Sequence, residues 1–348
     1  MTEQERYEQI DMPFYKSEVA PVLPDEVLDF HTHISRLQDF RVVPERSSVR
    51  YMQIEEEYTA EALLKDARRI FPDRAYSAVC FGLPFPTVDM EKVNNYTAES
   101  GKRRELYPLL IAGRDLLMPR SQIEAAVRTQ GFFGYKVFLN WQGSDYGDIT
   151  IEDMLGPEEM SLANELNLIV LLHVPRSGRL ADPEVQRGVR RLSAEYPNAN
   201  IVLAHCGRAY LPDEMKSAIG SVVDLPNVYL DTTMVTDPTV LQIAFENVGP
   251  GRMIFGTDFP VATMRGRRVY VMDHWVDVVL EGYGPSGYRV ASDGIRATFM
   301  AYEIVLAIRR AAEMAGITSE EMKSVFYENG MKLLRRVMNG AQMGSRDT

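Results

Sequence analysis

Eight short apolar runs, each followed by a longer stretch of helical spacing, constrain this chain more than any other feature. The runs are "EVLDFH" (26–31), "YSAVCFG" (76–82), "YPLLIA" (107–112), "GYKVFL" (134–139), "LIVLLH" (168–173), "NIVLAH" (200–205), "NVYLD" (227–231) and "RMIFGT" (252–257). They are rich in β-branched and aromatic residues and apolar almost throughout, as expected of strands buried on both faces. Between them lie helical candidates: "TAEALLKDARRIF", "MEKVNNYTAES", "SQIEAAVRTQ", "PEEMSLANEL", "PEVQRGVRRLSAEY", "PDEMKSAIGSVV" and "DPTVLQIAFENV". Several open on proline, whose missing N–H is harmless in a first helical turn. This alternation predicts an α/β protein with a parallel sheet covered by helices. The count of eight favours a closed (β/α)8 barrel over an open doubly wound sheet. An open sheet would more often carry a glycine-rich phosphate turn after its first strand, and here that strand runs into "HTHISR".

Outside the alternating region the signals weaken. Residues 1–25 carry Pro13, Pro21 and Pro24 and read as an N-terminal arm in which proline breaks any regular element. Residues 26–258 hold the strands, and 259–348 read as an irregular capping stretch followed by C-terminal helices. No Gly/Ser-rich linker, repeat or low-complexity tract divides the 348 residues, so the expectation is a single decorated domain.

Composition excludes several classes. The formal charge of −11 with no Lys/Arg-rich block argues against nucleic acid as a partner. Two cysteines, Cys80 and Cys206, both in apolar runs, do not make a disulfide framework. Cys206 reads as core filler. No apolar run is long enough to span a bilayer, and the polar start "MTEQERYEQIDM" has no signal-peptide pattern. The expectation is a cytoplasmic protein acting on a small molecule.

The polar residues that interrupt the apolar runs fall at their C-terminal ends. His31 and His33 end the first run, Lys136 lies in the fourth, His173 and His205 end the fifth and sixth, and Asp258 follows the eighth. In a parallel barrel all these ends converge on one mouth. Residues i and i+2 of a strand face the same way, so both rings of "HTH" point together. Four imidazoles and a carboxylate at one mouth predict a divalent metal site suited to zinc, manganese, iron or nickel. Arg114, Arg176 and Arg208 fall on mouth loops and suit a substrate carboxylate or phosphate, unless they pair with local acids. Trp141 is a candidate pocket wall, and His274 reads as part of a capping helix or loop.

The motifs "DFHTHI", "GYKVF", "VLLHVP", "IVLAHCG" and "IFGTDFP", in this order, resemble the amidohydrolase superfamily, in particular its metal-dependent hydrolase branch that also contains decarboxylases. The resemblance runs over about residues 25–340. It implies a distorted TIM barrel, with His31 and His33 binding a first metal and His173 and His205 serving that ion or a second. It implies that Asp258 is both ligand and proton shuttle, and that the protein forms a homo-oligomer. One or two ions per chain are expected, zinc first. A free Lys136 ammonium, with an ordinary pKa of ~10.4, would repel a cation. In binuclear members of the superfamily a lysine on strand 4 is carboxylated to an anionic carbamate that bridges two ions, and "GYKVF" resembles that pattern. The alternative is an unmodified lysine paired with Asp258 or a substrate carboxylate.

The expected activity is hydrolysis of a small carboxylate-bearing amide, lactone or ester. A metal-activated water attacks the carbonyl, Asp258 transfers the proton, and His205 or His173 adds a hydrogen bond. The alternative is non-oxidative decarboxylation of an aromatic or unsaturated acid at the same site. A non-enzymatic metal or ligand binder is the third reading, and a proton shuttle at Asp258 argues against it.

Overall fold

The computed structural model describes residues 1–46, 50–83, 85–112, 118–138, 147–272, 274–280, 287–289 and 296–341. Its centre is a ring of eight parallel strands: β1 (Glu26–His33), β2 (Ala75–Phe81), β3 (Leu106–Pro108 with Leu110–Ile111), β4 (Gly134–Val137), β5 (Ile169–Leu172), β6 (Asn200–Leu203), β7 (Val228–Asp231) and β8 (Met253–Ile254). All eight coincide with the apolar runs. They are legible because both faces are buried; β5 and β6, for example, have no exposed residue.

Two places in the ring depart from regular pairing. Strand β3 breaks at Leu109, yet the Leu109 N–H still donates to the Cys80 carbonyl at 2.9 Å, and Phe133 N–H donates to the Pro108 carbonyl at 2.9 Å. The segment therefore joins β2 to β4 across the break. Between β8 and β1, Phe30 N–H donates to Phe255 O (2.9 Å), Asp258 N–H to His31 O (2.9 Å) and His33 N–H to Phe259 O (2.8 Å). These three bonds close the cylinder, as the TIM-barrel expectation requires. At the start of β4, Gly134 has φ 146°, and a Cβ there would lie 1.9 Å from the Ile169 carbonyl oxygen, so only glycine lets β4 and β5 approach.

Helices cover the outside. The helix Pro183–Glu195 buries Val185, Val189 and Leu192, and Ala60–Ile70 buries Leu63, Ala67 and Ile70, each the inward stripe of a 3.6-residue period. Asp182 and Thr59 cap these helices by accepting from Glu184 N–H and Ala62 N–H. Pro157, Pro183, Pro212 and Pro238 all stand in first turns. Among the described residues no helix is long and apolar enough to cross a membrane.

Two sequence expectations need correction. Residues 3–19 are not an irregular arm but a continuous run of α and π turns. Thr2 and Glu5 form its capping box, and Pro13, which has no N–H to donate, sits within the run in the Met12–Phe14 segment between two π segments. Tyr15 and Val19 are buried, the Tyr7 hydroxyl donates to Arg69 O at 2.8 Å, and Arg265 Nε donates to Asp11 Oδ2 at 3.0 Å. The second correction concerns the stretch after β8. It carries an antiparallel hairpin, β9 (Gly266–Val271) and β10 (His274–Val279), with β11 (Gly287–Arg289) alongside β10. His274 therefore lies on a strand, exposed, rather than in a capping helix or loop. The hairpin is tied to the segment after β7: Arg267 Nη2 donates to Thr236 O at 2.9 Å, and Thr236 Oγ1 donates to Arg268 O at 2.5 Å.

Candidate metal centre

Strand β1 shapes the site first. Its register against β2 slips by one residue between Asp29 and Thr32, a bulge that re-aims His31. The freed His31 N–H is taken by Asp29 Oδ1 at 3.2 Å. Asp29 also accepts from Tyr76 OH (2.9 Å), Thr257 N–H (3.0 Å) and Thr257 Oγ1 (2.5 Å), which pins β1 to the end of β8. Asp258, just beyond β8, has φ 70°. This left-handed conformation is costly without glycine and turns its carboxylate back over β1.

The resulting cluster is close. Asp258 Oδ1 lies 3.0 Å from His33 Nε2 and 3.7 Å from His31 Nε2. A tetrahedral zinc with bonds of about 2.0–2.1 Å holds its ligand atoms about 3.3 Å apart, so the two distances bracket what such an ion requires. His31, His33 and Asp258 form one candidate metal-holding group; His31, His205 and Asp231 form another.

Asp231, at the end of β7, acts differently from a ligand. Its Oδ2 accepts from His31 Nδ1 at 2.9 Å, while its Oδ1 accepts from His205 N–H (2.5 Å) and Thr233 N–H (3.2 Å). Both oxygens are engaged, so Asp231 orients His31 and leaves Nε2 facing the cluster. His205 is fixed likewise, since its Nδ1 donates to Thr233 O at 3.1 Å and frees Nε2. The His205 ring centre lies 4.9 Å from that of His31 and 5.1 Å from that of His173. His173 thus joins the ring of imidazoles but falls in neither metal-holding group, and its buried Nδ1 has no hydrogen-bond partner among the described residues.

Lys136, fully buried on β4, places Nζ 3.3 Å from His31 Nε2 and over the faces of Phe81 (5.0 Å) and Phe138 (4.6 Å). Burial pushes its pKa down to about 7, against the opposing pull of Asp231 and Asp258. Burial also holds His31 and His173 well below the usual imidazole range and takes His205 to about 3, so the rings are neutral donors of lone pairs. Burial alone would raise Asp258, but the hydrogen bond with His33 brings it below the usual carboxylate range.

The other candidates from the sequence are placed as follows. Arg176 Nε donates to Asp182 Oδ2 at 2.9 Å, the local acid pairing rather than an open anion site. Arg208 Nη1 donates to Val174 O (3.0 Å) and Arg176 O (3.1 Å), and its charge reaches His173. Arg114 and Trp141 lie outside the described residues. Cys206 is buried with Sγ donating to Asp231 O at 3.2 Å. The sequence reading missed Asp29, Asp231 and Tyr51. Tyr51 OH lies 3.2 Å from both His33 Nε2 and Asp258 Oδ1.

A closed parallel barrel with a histidine–aspartate cluster at its mouth defines a class of barrel in which metal chemistry sits at the C-terminal ends of the strands. Residues 111–336 match the amidohydrolase family, and the chain belongs to that family. No curated protein matches it by sequence. Solved structures share the fold. An amidohydrolase from Burkholderia multivorans with bound zinc aligns at TM-score 0.56 and 14% identity, covering 89% of this chain and 99% of that one. The 2,6-dihydroxybenzoate decarboxylase from Rhizobium aligns at TM-score 0.53 and 14% identity over 90% and 99%. A probable 2-pyrone-4,6-dicarboxylic acid hydrolase from Acinetobacter baumannii with citric acid bound aligns at TM-score 0.54 and 16% identity over 89% and 99%.

Proposed function

We propose that the protein is a metal-dependent hydrolase of a small carboxylate-bearing amide, lactone or ester, with Asp258 as the group that moves the proton. The observation that carries this reading is Asp258 Oδ1 standing 3.0 Å from His33 Nε2 and 3.7 Å from His31 Nε2. His31 Nε2, His33 Nε2 and Asp258 Oδ1 would hold the ion, zinc first, with His173 and His205 beside it. A divalent cation supplies a water whose pKa falls from 15.7 towards ~7 and polarises a carbonyl. Asp258 accepts a proton at Oδ2 and returns it to the leaving nitrogen or oxygen. His205 Nε2, left with its lone pair because Nδ1 donates to Thr233 O, faces the same space and would accept from the attacking water or take part in holding the ion. The near-complete burial of His31 and His33 keeps bulk water from competing. Arg208 is the residue proposed to meet the substrate carboxylate. Lys136 is neutral above about pH 7, and a neutral amine is the form that combines with carbon dioxide, losing a proton to leave a carbamate. That supports a second ion.

A second reading, non-oxidative decarboxylation of an aromatic or unsaturated acid, is supported by the aromatic walls Phe81 and Phe138 beside Lys136 and by the shared fold of the Rhizobium decarboxylase. One experiment separates them. Zinc-loaded protein is offered small lactones, amides and unsaturated acids in ¹⁸O-labelled water. Hydrolysis places the label in the product acid; decarboxylation releases carbon dioxide and leaves the remaining organic product without label. Asp258→Asn is expected to keep most of the metal while turnover falls by about 10³-fold or more. Near-normal turnover in that variant would remove Asp258 from the mechanism.

A further inference from the structure

The β9–β10 hairpin carries an arrangement that the metal centre does not explain. Arg268 and Asp277 are cross-strand partners on it, both buried, joined by two hydrogen bonds of 2.8 and 3.0 Å. The Arg268 guanidinium lies 3.9 Å from the centre of the Trp275 ring and 5.0 Å from that of Tyr210. A buried ion pair adds little net stability over an apolar pair of similar volume, but this one fixes the planes of two rings. Tyr210 in turn lies 5.9 Å from the His205 ring and 5.6 Å from Trp275. A line of rings therefore runs from the metal centre to the hairpin.

Beside Tyr210 and Trp275 lies a pocket of about 260 Å³, with Met234, Asp237, Arg267 and Arg268 also in its lining. Its charged groups have internal partners. Arg267 Nη2 donates to Thr236 O and its Nε lies 3.6 Å from Glu303, while Asp237 caps a helix by accepting from Thr239 N–H at 2.7 Å. What the pocket offers a ligand is chiefly ring surface: Tyr210 and Trp275, held against Arg268 before binding, with Tyr270 beside them.

We propose that this pocket is a specificity subsite for the part of the substrate remote from the ion, and that it takes a flat, unsaturated ring against Trp275 and Tyr210. The inference rests on the reading of the adjacent centre as the site of turnover. Ring–ring contacts favour a planar partner beyond what buried area alone gives, and rings already immobilised lose no rotamer freedom on binding.

The probes are benzoate and cyclohexanecarboxylate, matched in charge and near in size but unlike in planarity. Calorimetry on the full-length protein, zinc-loaded and zinc-free, is expected to give benzoate roughly tenfold tighter binding. Trp275→Leu, which keeps apolar bulk without a ring, should bring that ratio near one, and Trp275→Phe should keep most of it, with zinc content unchanged in both. Absence of benzoate binding, equal affinities in the native protein, or a preference that survives Trp275→Leu would overturn the proposal. If Trp275→Leu fails to fold, a preference absent in Trp275→Phe overturns it as well. Failure of the hydrolase reading has a different signature: no turnover or no zinc uptake, with the planar preference intact in zinc-free protein.

Discussion

Asp231→Asn is the sharpest test of how the centre is held. Asp231 Oδ1 receives two backbone N–H groups, from His205 at 2.5 Å and Thr233 at 3.2 Å. In asparagine the amide oxygen must keep that position, because the NH2 group would meet two donors. The NH2 group therefore faces His31 Nδ1, where the carboxylate Oδ2 now accepts at 2.9 Å. His31 can satisfy it only by presenting Nδ1 as an acceptor, which moves the ring proton to Nε2, the atom that faces the cluster. The alternative is two donors in opposition. Losing a charge-assisted hydrogen bond is worth about 1.5–3 kcal/mol, or roughly 10- to 100-fold in affinity, the range found when partners of ligating histidines are removed. The assay is zinc affinity by competition with a chelator of known strength, with urea unfolding as a control for the fold. Zinc affinity within about threefold of native, at unchanged stoichiometry, would refute the role given to Asp231 and the tautomer argument with it.

Two further perturbations follow from the same cluster. Tyr51→Phe removes a hydroxyl 3.2 Å from Asp258 Oδ1; zinc content should stay while the turnover that Asp258→Asn abolishes drops by about tenfold, and an unchanged kcat would show the hydroxyl to be a bystander. Burial lowers Lys136 from 10.5 to about 7, so between those values the unfolded chain binds more protons and metal-free protein gains stability as pH rises. Lys136→Met lacks this linkage; its advantage in urea midpoint over metal-free native protein should be largest near pH 7 and shrink towards about pH 10, and a constant difference would refute the shift.

How far the sequence could be read depended on what occupied the inward positions. The eight strands were legible because apolar residues fill both faces, and the helices because their buried stripes repeat at helical spacing; Met90–Ser100 and Pro157–Leu166 match the sequence segments residue for residue. The hairpin was not legible, since an ion pair fills inward positions of β9 and β10. Arg268 and Asp277 break the apolar alternation by which a strand is recognised. The N-terminal helical run was hidden by weighing three prolines equally. Pro13 sits inside the run between its two π segments, and Pro21 and Pro24 lie beyond the last turn. At the centre, histidines at strand ends were conspicuous because few apolar runs end that way. Asp231 was not, because one acid closing "NVYLD" looks like any strand terminus. Asp29 did leave a signal, since "DFHTH" places it two residues before His31, on the period-two face of the same strand. Tyr51 left none: its segment reaches the mouth only through tertiary structure.

The backbone gives a separate indication of where function lies. His205, Cys206, Arg208, Met234 and Asp258 all have φ between 51° and 70° without being glycine, and all follow the C-terminal ends of β6, β7 or β8. Such residues cost on the order of 1–3 kcal/mol each unless their surroundings over-determine them. Near the opposite ends of the strands the positive-φ positions include Gly134 and Gly249, which as glycines carry no Cβ, and Gly131 and Asn167, both left-handed at helix C-termini, where that conformation is the ordinary stop signal. For three of these residues the structure shows what holds the turn. Asp258 is held by its N–H on His31 O, His205 by its N–H on Asp231 and its ring on Thr233 O. Thr233, immediately before Met234, donates its own N–H to Asp231. Asp231 is thus the point through which the strained turns after β6 and β7 and the ring of His31 on β1 are set together. A barrel that needed only stability could relax these turns with glycine or a longer loop. Holding His31, His33 and Asp258 within one ion's reach requires the turns as they are.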